Sequence, residues 1–466
     1  MEKYDVLIVG GSTTGCWFAE KMAEKGFKVL VIEKQMPDDV SRSYDIFHMG
    51  EAEMERFGLD TLDENNPVRE FRFESSPMIS PYGTYYKKGG YSPVIGFHKH
   101  DYIMLMAEKA KQKGAEIIYG AEFIDFAYDA NGKISGAKYV TADGEQTAYA
   151  KIVADCSGIP SVARTKLPDS SVVENFKLTP KDILYVVLYY VTYNDKTINP
   201  TDLNGFFMQY KSWFAPAGEG YDGLMGIGAF YSYDYAEEVF KRHFSKNAGV
   251  PEYTLLKTEK GMTPYHRNLF STVDDGFIAM GDTAFLTKPT CGEGCTSSLE
   301  HGEIAAEVIG KLLKDGKPLT KENMWSINTR YMRGQGKEFD SMRALLRGVV
   351  TISYDEAEYL FNNGILFSEK ILGGIDNGLN LGVADIAHIV GGIIKGVAAK
   401  KIRPSTIKNL VKALSQSGAV TKLYEQYPES YEGFEAWKAK AQVMWVEIGK
   451  VSDEIDPEIA KALNVK

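Results

Sequence analysis

Residues 4–33 read YDVLIVGGSTTGCWFAEKMAEKGFKVLVIE, and this stretch decides the fold of the N-terminal part of the chain. An apolar, β-rich run from Tyr4 to Val9 leads into a glycine-rich turn, a helical stretch from Cys16 to Lys25 and a second run from Lys28 to Glu33. A strand, a helix and a second strand within about thirty residues are typical of a βαβ unit. The sequence therefore predicts two parallel strands joined by a helix.

The turn after the first strand has the residues that a bound dinucleotide needs. Gly10 and Gly15 stand at the first and third glycine positions of the Rossmann fingerprint, and Ser12 stands at the second. Bare backbone N–H groups and the positive helix end meet a pyrophosphate there, and Glu33 accepts hydrogen bonds from ribose hydroxyls. A strand–turn–helix without nucleotide is the structural alternative. The candidate contacts in this unit are Gly10, Gly11, Ser12, Thr13, Thr14, Gly15, Glu33 and Lys34.

A second segment, late in the chain, indicates which nucleotide is bound. Residues 276–284 read GFIAMGDTA, an apolar strand that ends in Gly281 and Asp282. A carboxylate followed by a backbone N–H at this position suits the ribityl chain and pyrophosphate of FAD. The residues PTCGEGC at 289–295 follow, and then a helix is predicted from about Thr296 to Lys314.

The two segments together resemble the FAD-dependent oxidoreductases of the p-hydroxybenzoate hydroxylase fold, and in particular the geranylgeranyl reductases. The late motif of these reductases reads approximately GDAA, then P, then GEGI, then a helix. The resemblance covers residues 1 to about 310. It implies an α/β fold with a Rossmann-type FAD-binding domain, an antiparallel-sheet substrate domain and a helical C-terminal region.

Further FAD contacts are implied by the resemblance. It places Arg42 near the ribose and phosphates, Lys99 where the family usually has arginine, and the backbone of Phe123 at the adenine. The loop at residues 292–294 would run beside the pyrimidine side of the flavin, and the helix after it would stabilise the anionic reduced ring. The additional implied contacts are Arg42, Lys99, Phe123, Asp155, Ser157, Gly158, Gly281, Asp282, Gly292, Gly294, Cys295 and Thr296.

Candidate catalytic residues surround the same loop. Cys291 and Cys295 flank it, and a helix N-terminus lowers the pKa of a thiol, so either is a candidate proton donor or redox partner of the flavin. The structural alternative is two small residues that fill a tight turn. Glu293, His48 and Trp213 are candidates on the substrate side, although a single histidine or tryptophan more often packs in a core. The reductases commonly have a cysteine in the stretch that here reads FHMGE at residues 47–51.

The order of the predicted elements divides the chain into three parts. Hairpin turns at Asn131-Gly132 and Asp143-Gly144 predict antiparallel strands, and aromatic, β-branched stretches between Asp182 and Phe230 predict a separate antiparallel sheet. We assign residues 1–75, 97–165 and 268–335 to the FAD-binding domain. Residues 76–96 and 166–267 are assigned to the substrate-binding sheet, and residues 336–466 to a helical C-terminal domain.

Composition excludes several partners. The net charge of −10 and the lack of a long Lys/Arg run argue against nucleic acid. The four scattered cysteines have no metal-site spacing, so no metal is expected. The N-terminus leaves no room for a signal peptide, which favours a cytoplasmic location. The apolar run at residues 381–399 contains Asp385, His388 and Lys395, so it could touch a membrane but should not cross one.

The leading functional hypothesis is an FAD-dependent reductase. Hydride from N5 of the reduced flavin would add to a C=C bond of an apolar or aromatic-containing small molecule. No second Rossmann fingerprint is evident, so NAD(P)H that docks transiently or a ferredoxin-like protein would donate the electrons. Two alternatives are a flavin monooxygenase that hydroxylates aromatic rings and an electron-transfer flavoprotein that serves a quinone or a partner protein.

Overall fold

The computed structural model describes residues 3–44, 46–59, 63, 65–87, 91–197, 204–208, 210–218, 220–243, 250–365, 383–449 and 457–463. The strands are β1 (Lys3–Val9), β2 (Val29–Glu33), β3 (Ile46–Gly50), β4 (Arg69–Ser75), β5 (Met78–Ile79), β6 (Tyr86–Lys87), β7 (Tyr91–His98), β8 (Glu116–Tyr119), β9 (Glu122–Tyr128), β10 (Ile134–Thr141), β11 (Gly144–Asp155), β12 (Ile183–Tyr193), β13 (Asn204–Met208), β14 (Tyr210–Ala215), β15 (Gly223–Ala229), β16 (Tyr253–Pro264), β17 (Val273–Asp274) and β18 (Phe277–Ala279). The helices are α1 (Thr13–Glu24), α2 (Glu51–Phe57), α3 (Lys99–Gln112), α4 (Tyr233–Arg242), α5 (Cys295–Lys314), α6 (Lys321–Met324), α7 (Ser326–Tyr331), α8 (Lys337–Val349), α9 (Tyr354–Asn362), α10 (Val383–Ala398), α11 (Pro404–Glu425), α12 (Phe434–Gly449) and α13 (Pro457–Ala462).

The largest sheet brings the two predicted cofactor segments together. Its strands follow the order β17-β18-β11-β1-β2-β8, with β10 paired to β11 and β9 to β10. Strands β18, β11, β1, β2 and β8 run parallel, so that Val9 pairs with Asp155 and Asp155 pairs with Ala279. All five residues of β2 are buried, as expected for a strand inside a parallel sheet. The carboxyl ends of β1, β11 and β18 therefore meet at one edge, where α/β proteins bind their ligands.

Two smaller sheets lie outside this Rossmann-type unit. A second sheet has the order β16-β12-β15-β14-β13-β5-β6 and is antiparallel apart from the β13–β5 pair. A small antiparallel sheet has the order β3-β7-β4. An apolar cluster between them contains buried residues of β3, β12, β14 and β15, namely Ile46, Val186, Leu188, Tyr190, Trp213, Ala215 and Leu224.

Helices form the C-terminal part of the described chain. Helix α11 packs along α8, and α12 packs on α11. An aromatic cluster continuous with the core of the large sheet fixes them in place. Its central residues are Trp325, Tyr424, Tyr427, Phe434 and Trp437.

The predicted elements agree with the structure except in two places. Helix α1 begins at Thr13 rather than Cys16, so the last fingerprint glycine lies inside the helix. Among the stretches between Asp182 and Phe230, β13 and β14 pair antiparallel, as predicted. Strand β7 pairs with β3 and β4, although most of it falls within residues 76–96, which we assigned to the substrate sheet. The division into domains stays a prediction.

Candidate active site

The glycine-rich turn is shaped by contacts that exclude side chains. Gly10 has a φ of +103°, and a Cβ atom on it would lie 2.5 Å from the carbonyl oxygen of Cys156. A Cβ atom on Gly15 would lie 2.0 Å from the carbonyl oxygen of Gly10. Ser12 is the N-cap residue of α1, and its hydroxyl does not cap the helix. The turn thus presents bare backbone at a helix N-terminus, the environment that a pyrophosphate requires.

Glu33 fixes this turn from the end of β2. Its buried carboxylate accepts hydrogen bonds from the backbone N–H of Gly11 at 2.7 Å and of Gln35 at 2.8 Å. Each carboxylate oxygen can accept a second hydrogen bond, so ribose hydroxyls can still bind. The exposed ammonium of Lys34 forms an ion pair with Glu122 at 2.8 Å. Lys34 is therefore tied to the surface of β9 in this structure.

The carboxylate of Asp155 accepts hydrogen bonds from the protein backbone. One carboxylate oxygen accepts the N–H of Ser157 at 2.9 Å, and the other accepts the N–H groups of Ala163 at 3.0 Å and Arg164 at 2.6 Å. These bonds hold the loop after β11 against the glycine turn, where the N–H of Cys156 donates to Val9 at 2.8 Å. Asp155 thus positions this loop, and its predicted contact with FAD stays a prediction.

The second cofactor segment touches the first. Residues Gly281–Ala284 form a 3-10 turn after β18, and a Cβ atom on Gly281 would lie 2.6 Å from the hydroxyl oxygen of Thr14 on α1. The carboxylate of Asp282 accepts a hydrogen bond from Thr287 at 3.1 Å. Burial raises the pKa of Asp282, while this hydrogen bond and the charge of Lys99 oppose the rise. The charge of Lys99, at the start of α3, thus acts on Asp282, and its predicted contact with FAD stays a prediction.

The loop at residues 291–294 lies where the sheets meet. A Cβ atom on Gly294 would be 3.0 Å from Asp282, so this glycine lets the loop pass close to the carboxylate. Gly292 has a φ of +75°, and its carbonyl oxygen accepts a hydrogen bond from Thr263 of β16 at 3.2 Å. Helix α5 begins directly after the loop. The loop therefore joins the cofactor segment to the edge of the second sheet.

His48 and Glu293 form a pair that joins this loop to the small sheet. The Nε2 atom of His48, on β3, lies 2.8 Å from a carboxylate oxygen of Glu293. The His48 side chain is 17% exposed and that of Glu293 is 40% exposed, so water reaches the pair from one side. The structure thus brings together two of the candidate catalytic residues. Their separation of 245 positions explains why sequence patterns could not pair them.

The two loop cysteines differ from what we expected. Cys295 is half-buried at the first position of α5, and burial raises the pKa of its thiol to about 12, with Lys99 opposing the rise and Glu53 adding to it. The expectation that the helix N-terminus lowers this pKa is therefore wrong, because desolvation outweighs the helix end. Cys291 is half-buried in the loop, and its backbone N–H donates to Lys288 at 3.4 Å. Chemical roles for both cysteines stay predictions.

Three of the other candidates lie in different environments. Trp213 is 6% exposed within the apolar cluster between the two smaller sheets. The exposed Arg42 donates to the carbonyl oxygen of Asp38 at 3.2 Å, in its own turn. Phe123 is buried against Phe126, which leaves only its backbone for an adenine contact.

Thr296 follows Cys295 on α5, and its hydroxyl donates a hydrogen bond to the carboxylate of Glu53 on α2. Glu53 is a site residue that the sequence did not indicate, because an acidic residue on a short helix carries no motif signal.

These features fit FAD. The bare turn at the start of α1 suits the pyrophosphate, Glu33 suits the ribose, and the Gly281–Asp282 turn approaches from the other side. Ser157 and Gly158 lie on the loop that closes the same sheet edge, with the Gly158 carbonyl accepting a hydrogen bond from Thr283 at 3.1 Å. The described residues include no group of three or more His, Cys, Asp or Glu side chains arranged to hold a metal ion.

Comparisons with known proteins support FAD as the cofactor. The FAD binding domain family matches residues 3–201. Digeranylgeranylglycerophospholipid reductase of Sulfolobus acidocaldarius is 24% identical over 96% of this chain and 98% of its own length. A geranylgeranyl bacteriochlorophyll reductase-like structure from Thermoplasma acidophilum has a TM-score of 0.69 at 19% identity and covers 89% of this chain and 100% of its own. The flavin-dependent brominase Bmp2 gives a TM-score of 0.59 at 19% identity over 85% of this chain and 100% of its own.

Fold, cofactor site and relatives together define the class: the chain is an FAD-dependent oxidoreductase. The predicted α/β fold class and the FAD cofactor are confirmed. Within that class, the chain is an FAD-dependent reductase that is similar to the geranylgeranyl reductases.

Proposed function

We propose that the chain reduces a carbon–carbon double bond of an apolar, lipid-like small molecule. The proposal draws on the relatives named digeranylgeranylglycerophospholipid reductase, one of which aligns with 96% of this chain. Bound reduced FAD supplies a hydride equivalent to one carbon of such a bond. The protein must then hold the alkene, exclude water and provide a proton for the other carbon.

An apolar wall beside the loop supports a substrate of this kind. The cluster between the two smaller sheets includes Ile46 of β3 and Trp213 of β14. Ile46 and His48 are two positions apart on β3, so their side chains leave the strand on the same face. The wall and the polar pair are therefore neighbours. Trp213, predicted as catalytic, is assigned here to the wall because an indole has no acidic proton to give at neutral pH.

The observation that carries the proposal is the 2.8 Å contact between His48 and Glu293. A histidine ring nitrogen and a carboxylate at this distance form a hydrogen bond, and both residue types serve as general acids in enzymes. The loop that holds Glu293 is fixed by Thr263 and ends next to Asp282, so the pair stands on supported backbone. We assign the proton for the second carbon to this pair rather than to Cys295, whose thiol is held protonated and is a weak acid.

The electron donor stays a prediction, either NAD(P)H or a ferredoxin-like protein. The two alternative functions differ in their products. A monooxygenase adds an oxygen atom from O2 to its substrate, whereas an electron-transfer flavoprotein reduces a quinone or a partner protein and leaves the lipid unchanged.

The test is a single-turnover experiment without oxygen. The flavin of the purified protein is reduced photochemically and mixed with a lipid that carries geranylgeranyl chains, while flavin absorbance is followed. We expect flavin reoxidation that depends on the lipid, and mass spectrometry should find two added hydrogen atoms for each flavin reoxidised. Oxygen incorporation in air, or reoxidation without any change in the lipid, would contradict the proposal.

His48→Gln tests the proton assignment. It should slow lipid-dependent reoxidation by about 10²- to 10⁴-fold, the usual contribution of a general acid, and leave the flavin content unchanged. His98→Gln is the matched control, because His98 lies on β7 of the same small sheet, 41% exposed and 3.8 Å from Glu70. An equal loss in both variants would indicate damage to the sheet rather than a missing proton donor.

A further inference from the structure

Charge is distributed unevenly along the C-terminal helices. The whole chain has a net charge of −10, yet residues 386–424 contain seven basic residues and no acidic one. This segment covers most of α10, the connection after it and nearly all of α11. A strongly basic region on an acidic protein attracts anionic partners.

The same two helices expose apolar side chains. On α10, Val390 and Ile394 are 48% and 63% exposed, and on α11, Val411 and Leu414 are 63% and 65% exposed. Spacings of four and three residues place each pair on one face of its helix. Other apolar side chains of the same two helices contribute to an apolar cluster around Ile352 and Leu360, the members from α10 and α11 being Ile389, Ile393, Val397, Ile407 and Leu410.

Five exposed lysines flank these apolar side chains: Lys395, Lys400, Lys401, Lys408 and Lys412. Across the part of the chain that the structure describes, none of the ion pairs involves them. Arg403 differs, because it binds the carboxylate of Glu356 at 2.8 Å and is therefore neutralised. Uncompensated lysines beside exposed aliphatic side chains are the composition of helices that lie on anionic membranes.

We propose that α10 and α11 form a docking surface for an anionic lipid bilayer. The four aliphatic side chains would enter the boundary of the acyl chains, and the five lysines would contact lipid phosphates. Docking of this kind requires no spanning segment, and none of the described helices is long and apolar enough to cross a membrane. The proposal stands independently of the alkene reductase activity proposed above.

A second copy of the chain is the competing occupant of this surface. A symmetric contact through the same face would bring two sets of five lysines together, with no carboxylate from either α10 or α11 between residues 386 and 424 to offset them. Like charges across an interface oppose association. A lipid surface that carries phosphates has the opposite charge, so the distribution of charge on these helices favours the bilayer.

The test is co-sedimentation of the FAD-loaded protein with vesicles of phosphatidylcholine, with and without phosphatidylglycerol. We expect binding to the anionic vesicles that weakens as salt is added, and little binding to the neutral ones. The double variant Lys400→Gln/Lys401→Gln should bind the anionic vesicles about thirtyfold more weakly, from two lysine contacts with an anionic surface. Ile394→Gln/Leu414→Gln should also weaken binding.

Lys133→Gln/Lys138→Gln is the matched control, since it removes two exposed charges from the β9–β10 hairpin and strand β10. It should bind like the unchanged protein, and flavin absorbance and circular dichroism verify that every variant is folded. Equal binding to both vesicle types, or equal weakening by the control, would overturn the proposal. The proposal would also be overturned if the unchanged protein bound neither vesicle type and instead formed a dimer that the double substitution Ile394→Gln/Leu414→Gln dissociates.

Discussion

Glu356 lies on α9 and binds the start of α11 through Arg403 and Thr406, so its substitution should lower the stability of the protein. Its carboxylate, 4% exposed, accepts hydrogen bonds from the N–H of Ser353, from the backbone N–H and guanidinium of Arg403, and from the hydroxyl of Thr406. Burial alone would raise the pKa of Glu356. The hydrogen bonds from Arg403 and its neighbours outweigh burial and lower the pKa from 4.5 to about 2.

This lowered pKa sets both the size and the pH range of the effect. A shift of roughly two and a half pKa units corresponds to about 3 kcal/mol of stability at neutral pH. Because Arg403 is 49% exposed, solvent screening reduces this figure to about 2 kcal/mol. The folded-state pKa lies below the unfolded value, so the stabilisation is complete above pH 4.5 and is lost as the pH falls toward 2.

Glu356→Gln should therefore lower the free energy of unfolding by about 2 kcal/mol at pH 7, and the difference from the unchanged protein should shrink between pH 4.5 and pH 3. Urea unfolding at pH 7, 4.5 and 3, followed by the circular dichroism of the helices, measures this difference in the free energy of unfolding. Glu429→Gln is the control, because Glu429 is 75% exposed in its ion pair with Arg333 and should change stability little. A difference that stays constant across this pH range would refute the reasoning.

Three further substitutions test the cofactor site. Gly15→Ala should reduce the flavin-to-protein absorbance ratio at least tenfold, because its Cβ would lie 2.0 Å from a carbonyl oxygen, whereas Gly418→Ala, with no atom within 4 Å, should retain full flavin. Asp155→Asn should lower stability by about 1–3 kcal/mol in thermal unfolding and weaken FAD binding, since an amide cannot accept all three backbone N–H groups. Cys295→Ser should keep single-turnover reoxidation within about twofold, and Cys295 should react slowly with iodoacetamide at pH 7, because the thiolate is scarce. A tenfold loss would show that the thiol acts chemically.

The cofactor half of the site was predictable because its signals are local. The strand, turn, helix and acidic residue between Tyr4 and Glu33 lie within one βαβ unit, whose geometry follows from glycine positions and hydrophobic pattern. The Gly281–Asp282 turn is equally local. Parallel pairing of β1, β11 and β18 then brings the two segments to one sheet edge.

The substrate half depends on contacts that no short pattern contains. His48 meets Glu293 across 245 positions, and Thr263 meets Gly292 from a different sheet. The pKa of Cys295 was mispredicted for a related reason. Its helix position was correct, but the burial that decides the pKa comes from an apolar cluster that includes residues of α2 and α3. The charges of Glu53 and Lys99, on the same two helices, then raise and lower the pKa respectively.

The loop at residues 291–294 explains how one fold can serve different chemistries. It is attached to the cofactor segment through Gly294 and Asp282, to the second sheet through Thr263, and to the small sheet through His48. Of these attachments, the first joins two residues that are predicted to contact FAD, Gly294 and Asp282. The two smaller sheets can therefore change what they present to the flavin while the cofactor site stays intact. Solved structures of a reductase-like protein and a brominase share this fold at TM-scores of 0.69 and 0.59, which fits such a division, since function depends on the groups placed at a site rather than on the fold. Substitution of His48 and Glu293 by other residues, rather than substitution in the glycine turn, should accordingly alter the reaction and leave FAD bound.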